Sequence, residues 1–384
     1  MTTRLYYDSD ALTFSATAIG HDGGDATRVI LDRTAFYPTS GGQPHDTGTL
    51  GSARVVDVID GDDVIVHVCD APVALGPVEG VVDAVRRLDY TQQHTAQHLL
   101  SALAGDRFGW YTDSVHFGDR HSTIEFAVPA ASDAQLADLA GWASAAIAAA
   151  HPVTIGYEDA ATATGLRKPS DRDGIIRIVT IAGLDRSACG GTHVRTTAEV
   201  GPLLLVGTEK VRGHLRISYV AGDRALARVQ WLEATVRDAA EAMSCSVDEL
   251  AALVPKRVAE VVTARERIAE LEGALAGYRV AELAASAPVR GDGVRVVRVS
   301  GEGSSVLKAM AQAIAPLERI LFVGTGGTPP AIVVATSADS GLDAGALLKP
   351  ALAAHGGRGG GSARIAQGTA PEVEVVARAV VGEM

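Results

Sequence analysis

The first part of the chain alternates apolar and polar positions with the period of two that a half-buried strand requires, over Leu12 to Ile19, Thr27 to Phe36 and Ala53 to Cys69. In the last run, Arg54–Ile59 and Val64–Val68 flank Asp60-Gly-Asp-Asp63, a hairpin signal. An antiparallel, barrel-like β domain is predicted over residues 1–88. From Tyr90 to Ala104 the period becomes helical, with Leu99, Leu100 and Leu103 supplying the apolar face. Ser132 stands where an N-cap is needed for an alanine-rich helix running to about Ala150. Pro152 to Tyr157, Ile175 to Ile181 and Leu203 to Val206 read as extended, so residues 89–221 form an α+β block.

Beyond Asp223 the pattern is that of long helices. Ala225, Val229, Leu232, Val236, Ala239 and Met243 keep a 3/4 spacing, and after Pro255 the set Val261, Ala264, Ile268, Leu271, Leu275 and Tyr278 follows a heptad. Residues 222–288 therefore read as a helical hairpin or a short coiled coil, packed within the chain or joining two copies. Past Pro288 a β/α pattern returns: Val294 to Val299, Ile320 to Val323 and Ala331 to Ala335 are buried-strand runs, and Ser305 to Ala315 and Leu342 to Ala354 are helix-like. The run His355-Gly-Gly-Arg-Gly-Gly-Gly-Ser-Ala-Arg364 reads as the most flexible segment, unless its backbone must approach something closely.

Composition narrows the class. With 47% apolar residues and a length of 384, the chain can build real cores in more than one domain. Three cysteines, Cys69, Cys189 and Cys245, make no disulfide framework and fit a reducing compartment. The stretch Met1–Phe14 carries Asp8 and Asp10 and no signal-like apolar core, and no apolar run has membrane length, so a soluble cytoplasmic protein is expected. A net charge of −12 excludes charge-driven coating of nucleic acid but leaves room for a local basic surface on one folded RNA.

His94 and His98 are four apart on a predicted helix, so both imidazoles leave one face and can share a metal. This is no metalloprotease helix, because Thr95 stands where a glutamate base is needed. Far along the chain, Cys189-Gly-Gly-Thr-His193 offers a thiolate and an imidazole on a tight turn. Together these make an N/S ligand set of the kind zinc prefers.

The combination of Phe36-Tyr-Pro-Thr-Ser-Gly-Gly-Gln-Pro44, His94-Thr-Ala-Gln-His98 and Cys189-Gly-Gly-Thr-His-Val194 resembles the editing domain of alanyl-tRNA synthetase and the related AlaX trans-editing proteins. The segment His355–Gly368 is similar to the glycine-rich motif of the DHHA1 domain that ends the synthetase and the long AlaX forms, although Gly368-Thr369 departs from the usual double glycine. The resemblance implies an α+β chain: barrel-like domain, zinc-containing editing domain, helical spacer, and an α/β DHHA1 domain over 289–384. The stretch before Phe36 is too short for an amino-acid-activating domain, so hydrolysis of tRNA mischarged elsewhere is expected.

The implied reaction is zinc-dependent deacylation of Ser-tRNA(Ala), with Gly-tRNA(Ala) a further substrate. The alternative is a tRNA-binding protein that keeps zinc as a fold element and has no turnover. Zinc would polarise the ester carbonyl, hold the amino group or activate water; four protein ligands resemble a closed structural site, so these roles stay open. Selectivity against alanine needs a hydrogen bond to the serine hydroxyl. Gln97, beside His98, is one candidate reader; Thr123, where the family places a hydroxyl-reading threonine, is the other. Gln43 and Asp46 match the family's glycine-rich loop, which lines the pocket or closes a barrel turn, and His116 is a candidate proton carrier. For RNA, Lys210, Arg212 and Arg216 follow the metal loop, and Arg358 and Arg364 stand in a segment free of Asp and Glu. The spacer or the DHHA1 part would join two copies.

Overall fold

The computed structural model describes residues 1–169 and 173–383 and is a mixed α+β chain of several sheets. It divides into two compact units, Met1–Ala239 and Ala240–Met384.

In the first unit, strands Thr13–His21, Arg28–Leu31, Gly48–Leu50, Ala53–Gly61, Val64–Cys69 and Gly76–Val82 close into an antiparallel barrel. Alternation supplies its filling: Phe14, Ala16 and Ala18 from one strand and Ala53 and Val55 from another are buried, while the residues between them face out. Helix α1, Ala84–Phe108, leaves the barrel. It starts six residues before the predicted Tyr90, because the Asp83 carboxylate caps the amides of Val85 and Arg86. It ends at Gly109 in the left-handed conformation, at φ 69°. Helix α2, Asp133–Ala148, carries a capping box between Ser132 and Gln135.

These helices pack on an antiparallel sheet of order Leu203–Val211, His214–Ala221, Ser122–Phe126, Thr112–Phe117. Leu99, Leu100 and Leu103 of α1 meet Ile124, Phe126 and Ile217 of the sheet in one core. A second antiparallel sheet, Val153–Asp159, Ile175–Ile181 and Asp185–Ala188, carries the chain toward the Cys189 turn. Helix α3, Asp223–Ala242, begins with Ala225 fully buried. The division between the two units falls inside α3.

In the second unit, helix α4, Val247–Ser286, continues through Pro255 without a break. The heptad positions Val261, Ile268, Leu271, Leu275 and Tyr278 of α4 are exposed, and its buried contacts are Ala276, Val280 and Ala284 near its end. The sheet of this unit has the order Arg295–Ser300, Ile320–Gly326, Ala331–Thr336, Ile365–Thr369, Arg358–Gly361, with only its first pair parallel. The last turns of α4 and helix α5, Ser304–Ala313, join one core cluster on this sheet, and helices α6, Ala344–Ala354, and α7, Val373–Val381, join another. The glycine run that reads as flexible is an ordered edge strand, because a side chain there would collide with its neighbours. A Cβ on Gly359 would lie 2.3 Å from the Gln367 carbonyl, and one on Gly361 2.3 Å from that of Ile365.

Candidate metal centre

His94 and His98 project from α1 toward the turn Cys189–His193, and one donor atom from each of the four side chains lies within 4.8 Å of all the others. The Cys189 Sγ is 3.4 Å from His94 Nε2 and 3.4 Å from His193 Nε2. A tetrahedral ion with bonds of about 2.3 Å to sulfur and about 2.0 Å to nitrogen would separate such atoms by about 3.5 Å. The donor set and its spacing fit one small divalent ion.

The surroundings direct the ring nitrogens. His94 Nδ1 donates to Gln43 Oε1 (2.8 Å), His98 Nδ1 to Asp185 Oδ2 (2.8 Å) and His193 Nδ1 to Thr95 Oγ1 (3.2 Å). Each acceptor holds the Nδ1 proton, so the Nε2 lone pairs are left for a metal. Gln43 is itself oriented, receiving the Thr192 amide on Oε1 (3.2 Å) and donating to Thr192 Oγ1 (2.9 Å). Asp185 accepts from Arg167 Nε (2.6 Å) and from Ser187 Oγ (2.9 Å) as well as from His98. Burial raises the Asp185 carboxyl, and His98, Arg167 and Ser187 outweigh it and hold the group below its ordinary range. Burial likewise opposes a thiolate at Cys189, yet the adjoining His94 and His193 rings hold that thiol well below its usual range.

The turn can lie this close because of one glycine. A Cβ on Gly191 would stand 2.1 Å from His94 Cε1, whereas one on Gly190 would meet nothing nearer than 3.6 Å. The buried Arg177 clamps the turn from behind, donating Nη1 to the carbonyls of Cys189 (2.7 Å) and Gly191 (3.0 Å) and Nε to that of Tyr7 (3.1 Å). His94, His98 and Cys189 lie on the wall of a cavity of about 1380 Å³, which Gln97, Ser101, Thr112 and Tyr111 also line.

Other candidate residues stand elsewhere. Asp46 is 2% exposed and is not a cavity residue: it pairs with the buried Arg87 and accepts the amide of Tyr37 (2.7 Å), which fixes the glycine-rich loop to α1. Gln43 is fully buried and acts through His94, so it is a positioning residue. Thr123 alternates with the core residues Ser122 and Ile124, so it sits on the sheet face turned away from α1, beside Glu125 and opposite the exposed His116. Neither Thr123 nor His116 lines the cavity. Arg216 is paired with Glu125 and Glu209, whereas the exposed Arg364 donates to the backbone carbonyls of Ser337 and Ala338, which fix its direction and leave its charge in place. Lys210, Arg212 and Arg358 are exposed. Thr95, Thr192 and Asp185 escaped the sequence reading, since no spacing rule marks a residue whose only task is to hold another side chain.

The fold and site thus describe a compact α+β unit built around a His/Cys ligand set, and the comparisons with known proteins say which unit. A family model described as the threonyl and alanyl tRNA synthetase second additional domain matches residues 176–217, and one for class II (A) tRNA synthetases matches residues 11–84. An alanine–tRNA ligase of Methanoculleus marisnigri is 32% identical over 97% of this chain and 42% of its own. The chain accordingly spans about two-fifths of the length of the ligases it matches. The alanyl-tRNA editing protein Aarsd1 of Mus musculus is 29% identical over 78% of this chain and 74% of its own. A solved C-Ala domain from Aquifex aeolicus alanyl-tRNA synthetase covers 24% of this chain at 16% identity and a TM-score of 0.21, too slight a likeness to carry an argument. Over most of its length the chain is thus similar to alanine–tRNA ligases and to an alanyl-tRNA editing protein. Among the described residues no helix is long and apolar enough to cross a membrane.

Proposed function

We propose that the chain is a cytoplasmic trans-editing hydrolase that deacylates Ser-tRNA(Ala), and Gly-tRNA(Ala) with it, using one zinc ion held by His94, His98, Cys189 and His193. The observation that carries this reading is the convergence of four metal-competent donors within 4.8 Å of one another, three of them on residues that line a cavity large enough for the 3′ end of a charged RNA. Similarity to an alanyl-tRNA editing protein supports the substrate class.

Zinc, when bound, supplies Lewis acidity to the ester carbonyl or the attacking water. The protein residues do the rest of the work. Gln43, Asp185 and Thr95 keep the three imidazoles in one tautomer and one orientation. Gln97 and its neighbours face the substrate side of the cavity. Functionally the chain divides into a barrel at 1–88, an editing part at 89–221, a helical spacer at 222–288 and a DHHA1-like part at 289–384. The exposed Lys210, Arg212 and Arg358 contact RNA phosphates, and the exposed heptad stripe of α4 joins two copies.

One observation favours a second reading. Four protein ligands are the signature of a closed structural zinc, so a tRNA-binding protein without turnover would use the same residues. Incubation with Ser-, Gly- and Ala-tRNA(Ala) separates the two: release of serine and glycine with alanine retained is the expected result, and tight binding with no release of any amino acid would establish the second reading instead.

A further inference from the structure

Within the cavity, a hydroxyl network lies one helical turn beyond the metal ligands. Positions 94, 98 and 101 of α1 follow the i, i+4, i+7 spacing of a single helix face, so Ser101 continues the line of His94 and His98 at a rise of about 1.5 Å per residue. Ser101 Oγ accepts from Gln97 Nε2 (2.8 Å) and pairs with Thr112 Oγ1 (2.7 Å) on the adjoining strand. Ser101 is 6% exposed and Gln97 9%, and both line the cavity.

Counting protons shows what is left over. Ser101 and Thr112 bring two hydroxyl protons, and the bond between them uses one whichever atom donates. The other proton has no acceptor among the described residues, and neither does Gln97 Oε1 have a donor. The O–H of Ser101, whose oxygen already accepts from Gln97 and Thr112, and the Gln97 carbonyl, which is not sealed from solvent, therefore stand together toward the cavity, a few ångströms along the helix from His98. A single hydroxyl group, which both accepts and donates, satisfies the pair; a methyl group satisfies neither and leaves both desolvated.

We propose that Ser101, set by Gln97 and Thr112, is the specificity-determining residue that reads the side-chain hydroxyl of a seryl group whose ester lies at the metal ligands. The inference rests on the deacylase reading above, and it moves hydroxyl reading from Thr123 to the wall of the cavity. Glycine fits without using the network, and alanine leaves it unpaired.

The test compares Ser101→Ala and Ser101→Thr with the parent chain on Ser- and Gly-tRNA(Ala), with zinc content measured on each protein. Ser101→Ala is expected to lower kcat/KM for the seryl substrate about 10- to 100-fold and for the glycyl substrate less than about threefold, at unchanged zinc content. Ser101→Thr, which keeps the hydroxyl, is expected to recover most of the loss. Equal slowing on both substrates, or loss of zinc, would overturn the assignment. Binding of serine amide and alanine amide to the zinc-loaded chain, followed by calorimetry, keeps the question open to decision if no tRNA is hydrolysed. A serine preference that Ser101→Ala abolishes would uphold the reader while the deacylase reading falls, and equal binding of the two amides would overturn the reader as well.

Discussion

Cys189–Gly191 and Arg358–Gly361 are both short glycine-rich stretches, but the atoms that forbid a side chain differ. At Gly191 the obstacle is the His94 ring, 2.1 Å from where a Cβ would be, so the glycine exists to bring a thiolate turn against an imidazole. At Gly359 and Gly361 the obstacles are carbonyls and Cα atoms of the neighbouring strand, so those glycines exist to let two strands and α6 pack closely. One segment serves a site and the other serves a sheet. Glycine content therefore reports close approach of something to the backbone, and only the neighbours say whether that something is chemistry or packing.

Breaking each stretch separately should show the difference. Gly191→Ala is expected to have the largest effect: His94 is displaced, zinc per chain falls toward zero by elemental analysis, and deacylation goes with it, while the second unit unfolds as before. Asp185→Ala comes next. It removes the acceptor of the His98 Nδ1 proton and leaves Arg167 with Asp106 as its carboxylate, and zinc affinity should drop about 10- to 100-fold by competition with a chelator. Unchanged affinity would mean that His98 is oriented by the helix alone. Gly359→Ala is expected to leave zinc content untouched and to destabilise the second unit by about 1–3 kcal/mol, read as a lower denaturant midpoint, because its Cβ meets backbone that has no room to yield. Gly360→Ala is the internal control. Its Cβ meets nothing within 4 Å, so little change is expected, and a loss as large as that at Gly359 would contradict the packing account.

The clustering of His94, His98, Cys189 and His193 was legible because metal binding would impose such spacing: two imidazoles on one helical face, and a cysteine and a histidine around a turn that must be tight. Barrel strands and helices were legible for a similar reason, since their periods follow from which face is buried. What surrounds the ligands was not. Asp185 and Thr95 are ordinary polar residues whose partners lie 87 and 98 positions away in the chain. A carboxylate in a glycine loop looks available in sequence, while in the fold Asp46 is bound by Arg87 and the Tyr37 amide. The place of Thr123 in a motif says nothing about which side of the sheet it occupies, and a shift of one residue in a strand changes the face. The start of α1 was missed at Asp83, whose capping role depends on hydrogen bonds to two amides and not on apolar periodicity.

The central claim is that His94, His98, Cys189 and His193 hold one zinc on which the hydrolysis of seryl-tRNA depends. Its most direct test is to strip the purified chain with a chelator, assay Ser-tRNA(Ala) deacylation, and titrate zinc back. The account predicts that activity is lost on stripping and returns to its starting level at about one equivalent of zinc per chain, with Cys189→Ala remaining inactive at every zinc concentration. Full deacylation by the metal-free chain, or by Cys189→Ala, would contradict it.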